Sequence, residues 1–174
     1  AAYWSFDSDS MTNTTVRDLS GNNNTLTLNN MTATSSQIGG KVNKALSFSG
    51  ANRGSASDAS SLDLTGTISL SGWAYPTTAV GAGTYMSVVG KGSAASSFLN
   101  YQMGITAIAG GNLHIYYQYR GVGGTTHTIR GSTVLPINKW YHLVAVYNDN
   151  TDSINLYVNN VLQTNTVIFG TPTA

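Results

Sequence analysis

Two stretches near the C-terminal end constrain the fold of this chain most: Asn138 to Tyr147 and Ser153 to Leu162, joined by Asn148-Asp149-Asn150-Thr151-Asp152. Both are rich in Tyr, Val, Ile and Leu, which suit a pleated surface, and the Asn/Asp cluster between them tolerates turn geometry. They predict two β-strands joined by a polar turn, the second running into a tighter turn at Asn159-Asn160.

The rest of the chain agrees with an all-β fold. All seven acidic residues are Asp, so Glu, a strong helix former, is absent, and β-formers and turn formers dominate. Only 9% of the residues are charged, against about 25% in typical soluble domains. Solubility therefore falls to Ser, Thr, Asn and Gly. A net charge of +1, with Lys and Arg scattered singly, provides no field to attract nucleic acid or an anionic membrane. Without cysteine there is no disulfide framework, thiolate metal site or cysteine nucleophile. No apolar run approaches the ~20 residues of a membrane span. At 174 residues the chain suits one domain with a proper core, 1–174. The low-charge, Cys-free surface suits a secreted or cell-surface protein, whose signal peptide would already have been removed. Three Asn-x-Thr sequons, at Asn13, Asn23 and Asn30, are expected by chance in so Asn- and Thr-rich a chain.

Strands are predicted at Tyr3–Asp7, Ala45–Phe48, Thr67–Tyr75, Met86–Val89, Asn100–Ile108, Leu113–Arg120 and Thr126–Arg130. Asp18 to Asn24 reads as an ordered turn, because Asp and Asn side chains bond to backbone amides two residues on and Gly21 supplies positive φ. Gly110-Gly111-Asn112 makes a second hairpin of its flanking strands. Strands every 8–12 residues with turn signals between them indicate an antiparallel β-sandwich or barrel.

Alternation assigns faces. Leu113, Ile115, Tyr117 and Tyr119 share one side of their strand, and His114, Tyr116, Gln118 and Arg120 the other. Asn100 and Gln102 take the matching side of the neighbouring strand, and Asn155 and Tyr157 alternate with Ile154, Leu156 and Val158. Three strands thus share an apolar face for the core and a second face of amides, Tyr, His and Arg.

The ordered set Tyr3-Trp4-Ser5-Phe6-Asp7, Asp18-Leu19-Ser20-Gly21-Asn22, Lys44 to Gly50, Ile68 to Pro76, Val89-Gly90-Lys91-Gly92, Trp140 to Ala145 and Asn155 to Asn160 resembles the laminin G-like, concanavalin A-like jelly-roll domains of secreted proteins. The resemblance covers nearly the whole chain. It implies two antiparallel sheets packed face to face, one of them curved, and functions dominated by glycan or protein binding. Family members usually continue with a further strand, a turn and a closing Asp-containing strand, whereas this chain ends at Ile168 to Ala174. Either it is a fragment or the closing strands come from elsewhere, and an exposed edge there would invite another chain.

Hydrolysis is disfavoured. Glycosidases generally use two carboxylates about 5–9.5 Å apart. The fold's catalytic strand resembles Glu-x-Asp-x-Glu, which a chain without Glu cannot contain, and Asp7, Asp18, Asp58, Asp63, Asp149 and Asp152 fall at strand ends or turns. No catalytic residue is assigned. Calcium needs six to eight oxygen ligands. Asp7, Asp9, Asp18 and Asn22 offer such groups, though Asp18 and Asn22 can equally bond within their own turn. The resemblance implies a structural calcium ion on Asp7 and the carbonyl near Gly50, plus a closing-strand Asp that has no counterpart here.

Glycan binding is the sharper expectation. Sugar rings stack on aromatic faces while amides and charged groups hold hydroxyls. The expected face comprises Asn100, Gln102, His114, Tyr116, Gln118 and Arg120, extended by Asn155 and Tyr157, with Tyr85, Arg53 and His127 at the rim. The alternative is a polar sheet surface covered by the long early loop or facing water. Trp4, Trp73 and Trp140 are expected as core or sheet-edge plugs, His142 as a donor to a backbone carbonyl, and Lys91 as a solvated or capping group. The functional expectation is a non-catalytic, lectin-like module of a larger secreted or surface protein, binding a polysaccharide or other glycan. The alternative is a structural or adhesive domain of a surface assembly or phage particle, contacting a neighbouring subunit.

Overall fold

The structure, a computed structural model, describes residues 1–64, 66–92, 99–121 and 124–167, with only the backbone of 165 and 167. The expected end of the chain at 168–174 lies outside the described residues. Two compact units divide the chain, Ala1–Asp63 and Leu64–Ala174, where the sequence pattern predicts a single domain.

The first unit is built from short pieces: β1 (Thr15–Val16), β2 (Leu26–Asn29), helix α1 (Ala33–Ser36), β3 (Gln37–Gly39), β4 (Lys44–Leu46) and β5 (Arg53–Ser55). β1, β2 and β5 pair antiparallel, as do β3 and β4. Val16, Leu26, Leu28, Met31 and Leu46 form its core, with Trp4, Phe6 and Met11 packed against them. So small a core leans on polar anchors. Asp18 Oδ1 accepts the amides of Tyr3 and Ser20, each at 2.9 Å, and its Oδ2 accepts the amide of Asn24 at 2.9 Å and Asn24 Nδ2 at 3.1 Å. Burial alone would raise the carboxyl's pKa, but the backbone amides of Tyr3, Ser20 and Asn24 outweigh it and hold the group well below the usual carboxylate range. The ordered turn expected at Asp18–Asn24 is present, with Gly21 and Asn23 at positive φ. Tyr3–Asp7 is not a strand. Tyr3 spends its amide on the Asp18 carboxylate and its carbonyl on Leu19 N, and so joins a turn rather than a ladder.

The second unit is a sandwich of two four-stranded antiparallel sheets. Its strands are β6 (Ile68–Ala74), β7 (Tyr85–Lys91), β8 (Tyr101–Ala107), β9 (Leu113–Arg120), β10 (Thr126–Arg130), β11 (Tyr141–Asn148), β12 (Ser153–Val158) and β13 (Val161–Val167). One sheet has the order β10-β9-β8-β7 and the other β13-β12-β11-β6. Between them lies one core: Ile68 and Leu70 of β6, Tyr101, Met103 and Ile105 of β8, Leu113, Ile115, Tyr117 and Tyr119 of β9, Leu143, Ala145 and Tyr147 of β11, and Ile154, Leu156 and Val158 of β12. Burying a large apolar side chain of this kind is worth about 1.5–3 kcal/mol, so period-2 patterning fixes which side of each strand turns inward.

The hairpin that anchors the sequence pattern pairs Leu143 with Val158 through Asn148 with Ser153. Asn159 and Asn160, both at positive φ, turn the chain straight into β13, as in two-residue hairpin loops of the primed type. Tyr147 OH lies 3.0 Å from Asp149 Oδ1 and 3.2 Å from Asp152 Oδ1, which ties the β11–β12 turn to the core.

Candidate functional site

Each sheet of the second unit has an outer side that faces away from the core, and the two outer sides differ. On the β10-β9-β8-β7 sheet, register places Thr128, Gln118, Gln102 and Gly90 in one row and Arg130, Tyr116, Gly104 and Ser87 in the next. The following row holds His114, Thr106 and Tyr85. Sequence and structure therefore agree in bringing Asn100, Gln102, His114, Tyr116, Gln118 and Arg120 to one side of one sheet. Their burial is another matter. Tyr116 is fully buried, and His114 and Gln118 are exposed by only 6% and 5%. Asn100, Gln102 and Arg120 are half-buried.

Gly104 explains how Tyr116 lies. It is directly opposite Tyr116, so no side chain on β8 blocks the ring, which reaches across to β7 and meets Tyr85 edge-on at 4.9 Å. Gln102 Nε2 donates to the phenol oxygen. Burial raises the Tyr116 pKa, hydrogen bonds from Gln102 and Ser87 lower it and the neighbouring Tyr85 raises it, for a value of about 12. A Cβ at Gly104 would stand 2.1 Å from the Met86 carbonyl oxygen, so only glycine fits. Gln118 Nε2 donates to Thr128 Oγ1 at 2.9 Å, His114 Nδ1 donates to the Gly131 carbonyl at 3.0 Å, and Arg130 Nη2 donates to Tyr85 OH at 2.6 Å. Among the described residues, His114 Nε2 and Gln118 Oε1 are buried without a partner.

Asn155 and Tyr157 do not extend this face. They lie on β12, in the opposite sheet, and since Ile154, Leu156 and Val158 point into the core they face outward on the far side of the sandwich. His127 is not a rim residue of the polar face either. It pairs with Tyr119 across β10 and β9, and its ring stacks on that core tyrosine at 5.0 Å. Arg53 belongs to β5 of the first unit.

The β13-β12-β11-β6 sheet has an outer side of a different kind. Ile68 and Leu70 point inward, so Ser69, Ser71 and Trp73 point outward, and Tyr75 continues the series. Cross-strand pairing places Trp73 beside His142, with ring centroids 5.0 Å apart. One step on, Tyr75 lies beside Trp140 at 5.3 Å. The row before holds Ser71, Val144, Tyr157 and Leu162, and the next Ser69, Val146 and Asn155. Trp73 is 43% exposed and Tyr75 40%. His142 Nε2 is 2.9 Å from Ser71 Oγ, and its backbone amide donates to Asn159 Oδ1 at 2.9 Å. The expectation of a core or edge plug fails for Trp73, which is open to solvent, and the partner of His142 is a hydroxyl rather than a carbonyl. The signal for Trp73 was present: the inward alternation of Ile68 and Leu70, carried forward, sends Trp73 and Tyr75 outward.

Asp7, the carboxylate that the resemblance assigns to calcium, is engaged by neighbouring N–H groups. Its Oδ1 accepts Lys44 N at 3.1 Å and its Oδ2 accepts Asn43 Nδ2 at 3.4 Å. Among the described residues no group of three or more acidic, His or Cys side chains is placed to hold a metal. Asp18, with four N–H donors, is a structural clamp of its turn. Asp149 and Asp152 share the Tyr147 hydroxyl at a hairpin turn and serve to close it.

These sheets, their antiparallel pairing and their shared core are those of a concanavalin A-like sandwich. The family model described as concanavalin A-like lectin/glucanases superfamily, of laminin G type, matches residues 48–174. The chain belongs to this superfamily. The match covers well over half of the chain, including every strand of the second unit. No curated protein matches the chain significantly. Membership in the superfamily makes the domain a carbohydrate- or protein-interaction module in general terms. Laminin G-like domains are typically extracellular and generally non-catalytic, although the superfamily also includes glucanases. No helix among the described residues is long and apolar enough to cross a membrane.

Proposed function

We propose that this laminin G-like domain is a non-catalytic glycan-binding module of a secreted or surface protein. The observation that carries this is the solvent-open aromatic pairing on the outer side of the β13-β12-β11-β6 sheet, Trp73 beside His142 and Tyr75 beside Trp140. Exposed, side-supported rings offer flat apolar faces to the C–H edges of a sugar, and nearby hydroxyls and amides can hold its hydroxyl groups. The polar face of the other sheet, expected from sequence to bind, is a weaker surface because its central Tyr116 presents nothing to solvent. Catalysis lacks support as well. The chain has no Glu, and Asp149 and Asp152, on the β11–β12 turn, are both engaged by Tyr147.

A glycan-array screen with the folded domain tests the proposal. Binding to at least one glycan class is expected, and a flat array would remove the lectin-like function. A second function, as a protein-contact domain in a surface assembly, is favoured by β13: it is a sheet edge among the described residues, with Val161 and Leu162 exposed on it. A flat array together with self-association in light scattering would move the assignment there.

A further inference from the structure

We propose that the aromatic strip on β6 and β11 binds a neutral, extended polysaccharide chain. This rests on the glycan-binding function proposed above and specifies its ligand and the residues that hold it.

Charge comes first. Register and alternation place Ser69, Ser71, Trp73 and Tyr75 of the β6 side, Trp140, His142, Val144 and Val146 of the β11 side, and Asn155 and Tyr157 of β12 on this surface. None of them carries a formal charge with His neutral. The arginines of this sandwich that face outward, Arg120 and Arg130, sit on the other sheet. A uronate or sulfated sugar would have to shed water from its anionic groups with no cation among these residues and only Lys139, which precedes Trp140, adjoining them, whereas neutral hydroxyls need only hydrogen-bond partners.

Shape comes second. The ring pairs occupy successive rows on the outer side of a sheet rather than the walls of a pocket. Rows two residues apart are separated by about 7 Å, and the series from Tyr75 to Ser69 runs about 20 Å along β6. A strip of this length suits internal units of a chain, where a pocket would grip a terminal sugar. Trp73 and Tyr75 provide the stacking faces, Ser71 lies in the next row, and Ser69 and Asn155 add hydroxyl and amide groups in the row beyond it.

Preorganisation comes third. His142 supports the Trp73 ring at 5.0 Å and is itself fixed by Ser71 Oγ at 2.9 Å, while its backbone amide is held by Asn159 Oδ1. Trp140 supports Tyr75 in the same way. Rings held in place before binding lose little rotamer freedom on contact, so weak stacking converts more fully into affinity. His142 and Trp140 are therefore positioning residues, and Trp73 and Tyr75 touch the ligand.

The test is affinity electrophoresis of the full chain through gels containing neutral polymers (glucomannan, galactomannan, xyloglucan, soluble β-glucan, starch) or anionic ones (alginate, polygalacturonate, heparin). Titrations with oligosaccharides of increasing length from a retaining polymer follow. Expected is retention by at least one neutral polymer, with affinity rising with chain length. It should weaken at least tenfold in Trp73→Ala and Tyr75→Ala, both still melting cooperatively, and stay unchanged in Arg130→Ala. Retention by anionic polymers alone, lost in Arg130→Ala, would overturn the neutral-chain assignment while leaving glycan binding intact. Retention by a neutral polymer that Trp73→Ala and Tyr75→Ala do not weaken would overturn the site. No retention on either class, joined to a flat glycan array, would overturn both this inference and the function it rests on.

Discussion

His114, Tyr116 and Gln118 on one sheet, and Trp73, Tyr75 and His142 on the other, all point away from the same core. They nevertheless end in opposite environments. The first three are almost inaccessible, and the polar atoms His114 Nε2 and Gln118 Oε1 are buried there without partners among the described residues. Of the second three, Trp73 and Tyr75 expose large parts of their rings. The difference shows that alternation determines which side chains leave the core, but not whether they then meet water. What decides is the cross-strand neighbour. Opposite Tyr116 stands Gly104, whose missing side chain lets the phenol lie across the sheet to Tyr85. Opposite Trp73 stands His142, which packs beside the indole and leaves much of it in solvent.

The largest test of this contrast is Tyr116→Ala. If Tyr116 is part of the packed interior, its truncation should cost about 3–5 kcal/mol, as for other fully buried aromatic side chains. Urea unfolding would record a lower midpoint. A variant that stays fully stable but loses glycan binding would reverse the roles of the two faces.

How far the sequence carries can be seen in particular residues. The strands of the second unit were legible because burial on one side imposes a strict period of two. Thr126–Arg130 and Leu113–Arg120 occur with the boundaries that alternation predicts, and Gly110 and Gly111 turn between β8 and β9 with positive φ. The first unit was much less so. Its strands have two to four residues, too few for a period to show, and the expected strand at Tyr3–Asp7 is replaced by long-range bonds to Asp18 and Leu19. Asp18 was legible as a turn residue through Ser20, but its bonds to Tyr3 and Asn24 depend on tertiary placement. Of the expected binding residues, six were correctly grouped on one sheet, because direct strand pairing links β8 and β9. Asn155 and Tyr157 were misgrouped because alternation is the same in either sheet and does not say which sheet a strand joins.

Alkaline titration gives a finer probe of the closed face. The folded-state pKa of Tyr116, about 12, lies above the ordinary value of 10.0, chiefly through burial of its hydroxyl. The neutral form is therefore the one the fold favours. The stability this confers is fully present below pH 10 and declines as the pH climbs toward 12. Tyr116→Phe has no proton to lose there, so its unfolding midpoint should fall less steeply across that interval than that of the parent protein. Equal slopes would mean that the hydroxyl is solvated and the face open.

On the open face the expected cost is smaller. Trp73 retains much solvent contact, so Trp73→Ala should lower stability by only about 1 kcal/mol while removing a stacking surface. Thermal melting within a few degrees of the parent, together with weakened polysaccharide retention, would sharpen the division between a face for folding and a face for binding. Collapse of the fold in Trp73→Ala would erase that division.

The smallest effect is expected at Gln118, and it separates two meanings of the closed face. Its Nε2 is satisfied by Thr128, but its buried Oε1 has no partner among the described residues, so the amide gains one hydrogen bond and bears the desolvation of an unmatched acceptor. A hydrogen bond contributes about 1 kcal/mol net, and an unmatched buried polar atom costs about 1–3 kcal/mol. The two nearly cancel, so Gln118→Met, which keeps the side chain's length and removes both, should leave stability unchanged or slightly raised by urea titration. If Gln118→Met instead destabilises strongly, Oε1 must have a partner in solution, either ordered water or a bound polar ligand. Adding candidate glycans to both proteins then distinguishes these: a ligand that stabilises the parent but not the variant would make the closed face a second binding site.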